Sequence, residues 1–248
     1  MGTHNMTLDM QFVEELVLAI RSHSPLPAFP QILDLEEAYN ALDEIGNRVC
    51  NSGITGIKAG LTNPDIQALF GLNHALLGRL YDWGELRPGD VVKHRANAQI
   101  ECEIAVQLNA EGKPVKIGAA IEFVYVNFSK PQDLTPGNLV ATSLGADRYL
   151  LGKQFDWYEV DFNTLRSAHI ALSLDEERIL TTSPYDSLGG PEKATKWCVD
   201  EAIARGLEIR DEMILLCGTC GAGLPLQPGN YIADYGLLGK IEFTVGDA

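Results

Sequence analysis

Apolar residues recur at helix-face spacing in the first part of the chain and at strand-like spacing later. From Leu8 to Arg21 the apolar positions Phe12, Leu16, Val17 and Ile20 fall on one side of a helix. From about Leu35 to Asn51 the set Ala38, Leu42, Ile45 and Val49 does the same. Asp9 and Asp34 are candidate caps for the two starts. Pro25, Pro27 and Pro30 separate the helices, and Gly53 and Gly56 end the second. Asn63 to Phe70 reads as a short third helix, with Asn63 as N-cap, Pro64 in the first position and Gly71 after the end.

From about Asp90 the pattern changes. Val91-Val92, Ala98 to Leu108 and Val115 to Phe128 carry β-branched and aromatic residues between Gly, Pro and Asn turns, which predicts strands. Asp133 to Asp147 is turn-rich with one helix start. Tyr158 to Phe162 and His169 to Leu174 read as strands again. Pro191 opens a long helix to about Arg205, closed by Gly206, and the chain from Ile209 onward reads as strands broken by Pro225, Pro228-Gly229 and Gly236. The class is α+β, with a helical region over residues 1–88 and a β-rich, mixed region over residues 89–248. No glycine-rich phosphate loop opens a helix after a strand, so a nucleotide cofactor has no support.

Composition narrows the function. Of 248 residues 46% are hydrophobic and 21% charged, enough apolar material for a sizeable core. The net charge of −15 is the wrong sign for nucleic acid or an anionic membrane. No apolar run reaches the length of a membrane span. No basic stretch leads into an apolar one near the start, so no signal peptide is expected and the expected location is the cytoplasm. The segment Met1 to Asn5 is left out of the fold argument. Cys50, Cys102, Cys198, Cys217 and Cys220 are odd in number and scattered, which fits a reducing compartment better than a disulfide framework. Cys217-Gly-Thr-Cys220 follows a strand-like run rather than opening a helix, so it reads as small residues in a tight turn.

Candidate chemistry begins with Gln99-Ile-Glu101-Cys-Glu103-Ile-Ala105. In a strand, residues two apart share a face, so Glu101 and Glu103 project together. Either that face is exposed, or a hard divalent cation resolves the repulsion of two like charges. Glu122 is the only charge in the apolar run Ile117 to Val126, and a buried carboxylate needs a partner: an Arg or Lys, or the cation that Glu101 and Glu103 need. Three carboxylates would leave positions on an octahedral ion for water and a chelating substrate. Lys58, in Gly56-Ile-Lys58-Ala-Gly60-Leu61-Thr62, is either a snorkelling surface lysine or a desolvated cation beside an anionic ligand.

The ordered set Gly56-x-Lys58-x-Gly60-Leu61-Thr62, Gln67-x-x-x-Gly71, Ile100-Glu-x-Glu-Ile-Ala105, Leu188-Gly-x-Pro191, Trp197, and Pro228-Gly229 before Leu238-Gly239 resembles the fumarylacetoacetate hydrolase superfamily, in its branch of 2-keto-4-pentenoate hydratases and 4-oxalocrotonate decarboxylases. The resemblance runs from about Ala38 to Phe243. It implies a fumarylacetoacetate-hydrolase-like β domain and a homo-oligomer. It makes Glu101, Glu103 and Glu122 the ligands of Mg²⁺ or Mn²⁺, Lys58 the active-site lysine, and Thr62, His74 and Thr219 substrate contacts. The implied substrate is a small 2-oxo acid or related carboxylate, such as a 2-hydroxydienoic acid, and the implied activity a hydro-lyase or decarboxylase of aromatic catabolism. The chain also departs from the branch. Leu76 stands where the branch has an Asp in a Pro-Asp-Phe-Gly segment, Ala141 to Ala146 replaces an Asp-Asn-Ala-Ser-like stretch, Leu42 replaces a Gln, and Lys130 follows where an Arg is usual. The expectation is altered or lost hydratase chemistry. The alternative is a catalytically diverged homologue that binds a small carboxylate or a partner protein. Hydrolysis of an acylpyruvate has no motif among His23, His74 and His94.

Overall fold

The computed structural model describes residues 8–246; the first seven residues, on which the signal-peptide expectation falls, lie outside them. Helix α1 (Met10–Ser22) starts on Asp9, whose side chain accepts from Gln11 N–H. Helix α2 (Leu35–Val49) starts on a capping box in which Asp34 and Glu37 answer each other's backbone N–H groups. Strand β1 (Gly56–Gly60), helix α3 (Pro64–Leu69) and strand β2 (Leu76–Leu80) follow. The chain continues through β3 (Val91–Lys93), β4 (Ala98–Leu108), β5 (Pro114–Tyr125), α4 (Pro136–Ala141), β6 (Ala146–Asp156), α5 (Phe162–Ser167), β7 (Ile170–Leu174), β8 (Glu177–Thr182), α6 (Pro191–Ala204), β9 (Met213–Leu216), β10 (Leu224–Pro225), β11 (Gly229–Asp234) and β12 (Lys240–Gly246).

The strands form two sheets. One runs β2-β1-β9-β4-β5-β6, with the short β10 added to β4; the other runs β3-β12-β11-β7-β8. The first sheet is mixed: β1 pairs antiparallel with β2 but parallel with β9, which enters from far along the chain. It curls on itself until the segment after β2 meets β6, where Glu85 bridges Tyr149 and Leu86 N–H bonds to the Tyr149 carbonyl. Inside the curl lies a small apolar cluster of Leu80, Ala105, Ala120, Tyr149, Ile214 and Leu216. A larger core joins the outer face of this sheet to the helices and to the second sheet.

The α+β class holds, and α1, α2, α3 and α6 begin and end within a few residues of the pattern-based expectation. Two expectations change. Residues 56–60 and 76–80, placed by sequence in the helical region, are strands of the main sheet, so one sheet draws on both sides of residue 88. The sequence Gly-Ile-Lys-Ala-Gly has little strand propensity of its own. It is a strand because β2 and β9 flank it, and a Cβ on Gly56 would lie 2.2 Å from the Ile214 carbonyl oxygen. Tyr158 to Phe162, expected as a strand, is a 3₁₀ turn leading into α5. Asp156 accepts from Tyr158 N–H and Asp161 from Asn163 N–H, local bonds that compete with a ladder. The long strand β6 and strand β8 had no clear signal, because charged residues interrupt both. Among the described residues no helix is long and apolar enough to cross a membrane.

Candidate metal and substrate site

Strands β4 and β5 run antiparallel with Glu101 opposite Glu122 and Glu103 opposite Ala120. That register puts all three carboxylates on the inside of the curled sheet, where one oxygen of each lies within 4.8 Å of the others. The other face of β4 is no more exposed: Ile100, Cys102 and Ile104 are buried. The exposed amphipathic strand is therefore excluded for Glu103 and Glu122, which are 0% and 1% exposed. Glu101 is half-buried.

Lys58 comes to the same place from β1. It is 2% exposed, which excludes a snorkelling surface lysine. Its Nζ lies 2.6 Å from Glu122 Oε1 and donates to the Leu144 carbonyl at 3.4 Å. The glycines around it are a packing requirement. A Cβ on Gly60 would meet Leu144 Cδ1 at 2.6 Å, and a Cβ on Gly78, opposite Lys58 on β2, would meet the Ser143 carbonyl oxygen at 2.8 Å. The turn pressing on these glycines lies in the Ala141 to Ala146 stretch. In it Ser143, Leu144 and Gly145 all take positive φ, of 53°, 54° and 71°. Leu61, at the other side of the site, has φ 51°. Left-handed leucines are strained by about 1–3 kcal/mol each and persist only where their surroundings over-determine them.

The protein answers only part of the carboxylate charge. Gly218 N–H donates to Glu103 Oε2 at 2.7 Å, and the Thr219 hydroxyl donates to Glu101. Glu103 Oε1 and Glu122 Oε2 accept no hydrogen bond from the described residues. Burial, reinforced by the charges of Glu122 and Glu101, pushes the Glu103 carboxyl well above the usual range. Burial also raises Glu122, although Lys58 pulls against it. Burial alone would strip Lys58 of its proton, yet the surrounding carboxylates outweigh it and hold the ammonium above its ordinary value. Three acids share one ammonium, so each buried Glu stays above a normal carboxyl even beside a cation. The residues fit a divalent metal: the donors are all carboxylate oxygens, as a hard cation requires, and two buried oxygens lack a protein partner.

Above the cluster opens a cavity of about 470 Å³ lined on the polar side by Lys58, Asn97, Gln99, Glu101 and Thr219. Its apolar lining residues are Leu61, Phe70, Val124, Val126, Leu134, Leu139 and Leu144, with Val124 directly opposite Gln99 across β4 and β5. Glu103 and Glu122 are buried next to Glu101 and do not themselves line the cavity. Thr62 lines a neighbouring cleft that shares Thr219; its methyl group packs where a Cβ on Gly218 would sit, 2.4 Å away. His74 lines neither space, and its Nδ1 lies 2.7 Å from the Ala75 carbonyl oxygen. Leu76 is on the same face of β2 as Gly78, the face of Lys58, and is fully buried. Gln99, Asn97, Gly218 and the Leu144 carbonyl were not singled out as site groups by sequence. Gln99 had a legible signal, standing two residues before Glu101 on the same strand face; the other three are placed by turns. Cys217 and Cys220 are buried free thiols on either side of Gly218, in the turn expected for them.

No family model matches the chain. It is 25% identical over 230 residues to a 2-keto-4-pentenoate hydratase of Burkholderia vietnamiensis, covering 85% of this chain and 86% of that protein. Among solved structures, the 4-oxalocrotonate decarboxylase of Pseudomonas putida G7, complexed with magnesium and adipate, superposes with a TM-score of 0.84 at 22% identity. That match covers 98% of this chain and 100% of the other. The fumarylpyruvate hydrolase of Pseudomonas aeruginosa, in complex with Mn²⁺ and pyruvate, gives a TM-score of 0.58 at 13% identity over 77% of this chain and 89% of that one. The chain has the fumarylacetoacetate hydrolase fold. Its resemblance to the hydratase and decarboxylase branch of that superfamily holds in sequence and in fold, and a second structure of the decarboxylase carries calcium and acetate.

Proposed function

We propose that this fumarylacetoacetate-hydrolase-fold protein is a divalent-metal-dependent lyase of the hydratase or decarboxylase type, acting on a small 2-oxo or 2-hydroxydienoic acid. The observation that carries the reading is the convergence of Glu101, Glu103 and Glu122, with buried oxygens that accept no hydrogen bond from the described residues, beside a buried Lys58 and next to a ligand-sized cavity that Glu101 and Lys58 line. Mg²⁺ or Mn²⁺ bound by the three glutamates would supply Lewis-acid stabilisation of an enolate. The chain's own groups do the rest. Gly218 N–H and the Thr219 hydroxyl hold Glu103 and Glu101 in place. Lys58 sets a fixed positive charge at the cavity wall, where it favours a ligand carboxylate or a developing oxyanion. The similar proteins named as a hydratase and a decarboxylase support the class.

Leu76 favours a second reading, a diverged homologue that binds a small carboxylate without hydrating it. It lies on the Lys58 face with no titratable group, and a general acid or base contributes roughly 10²–10⁴-fold in rate. Decarboxylation needs fewer proton transfers and is the reaction better suited to the residues present. The test is calorimetry with Mn²⁺ on wild type and Glu103→Ala, followed by assays of oxaloacetate and 2-hydroxypenta-2,4-dienoate with Mg²⁺ and with EDTA. The expected result is metal binding in wild type alone, with EDTA-sensitive decarboxylation and little hydration. Absence of metal binding in wild type would overturn the metal-dependent reading; vigorous hydration would overturn the significance given to Leu76.

A further inference from the structure

We infer that Tyr235 is a positioning residue for the metal ligands: its hydroxyl ties the main chain of Glu103 to that of Ala120, the residue opposite on β5, and so fixes where the Glu103 and Glu122 carboxylates stand. The inference deepens the proposed function and rests on it, since the three glutamates are taken to hold a divalent ion. On β4 the carbonyls of Cys102 and Ile104 accept from the N–H groups of Cys220 at 2.7 Å and Cys217 at 2.9 Å. Successive residues of a strand turn their peptide groups to opposite sides, so the Glu103 N–H between them points toward β5. There it donates to the Tyr235 hydroxyl at 3.2 Å, and the hydroxyl donates in turn to the Ala120 carbonyl. Ala120 stands two residues before Glu122 on the same strand face, so one hydroxyl spans the two strands that carry the buried ligands.

Tyr235 does this from outside the site. It follows β11, is fully buried, and belongs to the core on the outer face of the curled sheet, opposite to the carboxylates. It does not line the cavity. Its own place is fixed: Tyr235 N–H donates to the Gly239 carbonyl at 2.8 Å, and Gly236 N–H to the Asp234 side chain at 2.9 Å. Burial pushes the phenol well above its ordinary value. The hydroxyl therefore stays protonated and keeps its one proton for Ala120 and a lone pair for Glu103. The need for such a tie is local. The pairing of β5 with β6 shifts register between Gly118 and Ala120, so the ladder on that side is disrupted next to the point where Tyr235 bonds. Glu103 is held at both ends by neutral groups, its main chain by Tyr235 and one carboxylate oxygen by Gly218 N–H at 2.7 Å, which leaves the other oxygen for an ion. Such oxygens tolerate little displacement, because Mg²⁺ demands them at about 2.1 Å in near-octahedral positions. Loss of a group that orients a ligand weakens metal binding roughly 10–100-fold.

Tyr231 supplies a matched control. It is buried on β11, and its hydroxyl also makes two main-chain bonds, accepting from Gln227 N–H at 3.1 Å and donating to the Gln227 carbonyl at 2.9 Å. That hydroxyl bonds to neither β4 nor β5. Tyr235→Phe and Tyr231→Phe each keep the ring and remove one oxygen. Calorimetry of the full chain with Mg²⁺ is expected to show a Kd about tenfold or more above wild type for Tyr235→Phe, and within about twofold of wild type for Tyr231→Phe. The electron paramagnetic resonance spectrum of bound Mn²⁺ should change in Tyr235→Phe alone. Urea unfolding in EDTA reads what each hydroxyl contributes to the fold, and similar midpoints are expected for the two variants. Binding of Mg²⁺ by Tyr235→Phe within about threefold of wild type, or an equal loss of affinity in both variants, would overturn the inference while leaving the proposed function standing. Failure of Tyr235→Phe to fold where Tyr231→Phe folds would do the same, since the hydroxyl would then serve the fold and not the ligands. Failure of wild type to bind Mg²⁺ would overturn the proposed function and this inference together.

Discussion

Two buried ionic clusters sit on the same curled sheet, and they are balanced in opposite ways. At the start of β6, Asp147 places one oxygen 2.7 Å from His23 Nε2 and the other 2.8 Å from Arg95. His23 is the residue that ends α1, so this carboxylate ties the N-terminal helix to the sheet with both oxygens answered. A few residues before Asp147 in sequence, the strained turn presses on the second cluster, where three glutamates share Lys58 and two buried oxygens have no partner among the described residues. A buried charge satisfied from within acts as a brace. An excess of buried like charge is tolerable only if something from solution completes it, which is why the second cluster reads as a site and the first as architecture.

Breaking the ion pairs should expose that contrast. The largest effect is expected for Lys58→Met, which keeps most of the apolar volume and leaves Glu122 without its cation. Removing one partner of a buried pair costs about 3–5 kcal/mol, so denaturant unfolding in EDTA should show a loss of that order, partly recovered with Mg²⁺. A loss below about 1 kcal/mol would mean that Lys58 does not hold the Glu122 charge. A smaller loss, about 2 kcal/mol, is expected for Asp147→Asn, because its partners keep some contact with water and the bonds lost are charge-assisted hydrogen bonds. The same variant sharpens the comparison. Saturating Mg²⁺ at about 100 times its Kd should raise the Tm of wild type and Asp147→Asn alike by about 5–10 °C, and that of Lys58→Met at least as much. A brace and a site predict different metal responses, and thermal unfolding reads both.

The smallest effect concerns pH in the absence of metal. Burial raises the Glu103 carboxyl above its ordinary value of 4.5, so between that value and the raised one the folded state holds a proton that the unfolded state releases. The Glu103 contribution to stability must therefore fall as pH rises above about 4.5. Glu103→Gln still accepts from Gly218 N–H but carries no charge. It should match wild type at pH 4 and gain on it steadily toward pH 8 in EDTA, a gain that saturating Mg²⁺ abolishes or reverses. A difference independent of pH would mean that burial does not disfavour the Glu103 charge.

How much of this was legible in the chain depends on whether a feature is local. The caps at Asp9, Asp34 and Asn63 and the Pro191 start of α6 are set by residues within one turn, and each helix begins where its cap stands. The shared face of Glu101 and Glu103 follows from the two-residue strand period, and the lone charge of Glu122 from the apolar run around it. The ordered motifs pointed to the fold family before any coordinate did. His74 was legible as a neighbour of Leu76 in sequence; its Nδ1 lies 2.7 Å from the Ala75 carbonyl oxygen, and it is not among the residues that line the cavity.

What only the tertiary structure decided is which distant pieces meet. A strand such as Gly56–Gly60 carries almost no signal of its own, and its conformation comes from β2 on one side and from β9, more than 150 residues later, on the other. The meeting of Lys58 with Glu122 depends on the curl of the whole sheet, a cumulative property of strand twist that no short window contains. Sequence determined the chemistry available at each position: carboxylates two apart, a lysine between glycines, a lone charge in an apolar run. Tertiary structure determined that Glu103 and Glu122 are buried, that the lysine balances only part of the charge, and that a cavity with many apolar residues in its lining opens beside them. Burial and partnership belong to pairs of residues far apart in the chain, whereas capping and alternation belong to neighbours.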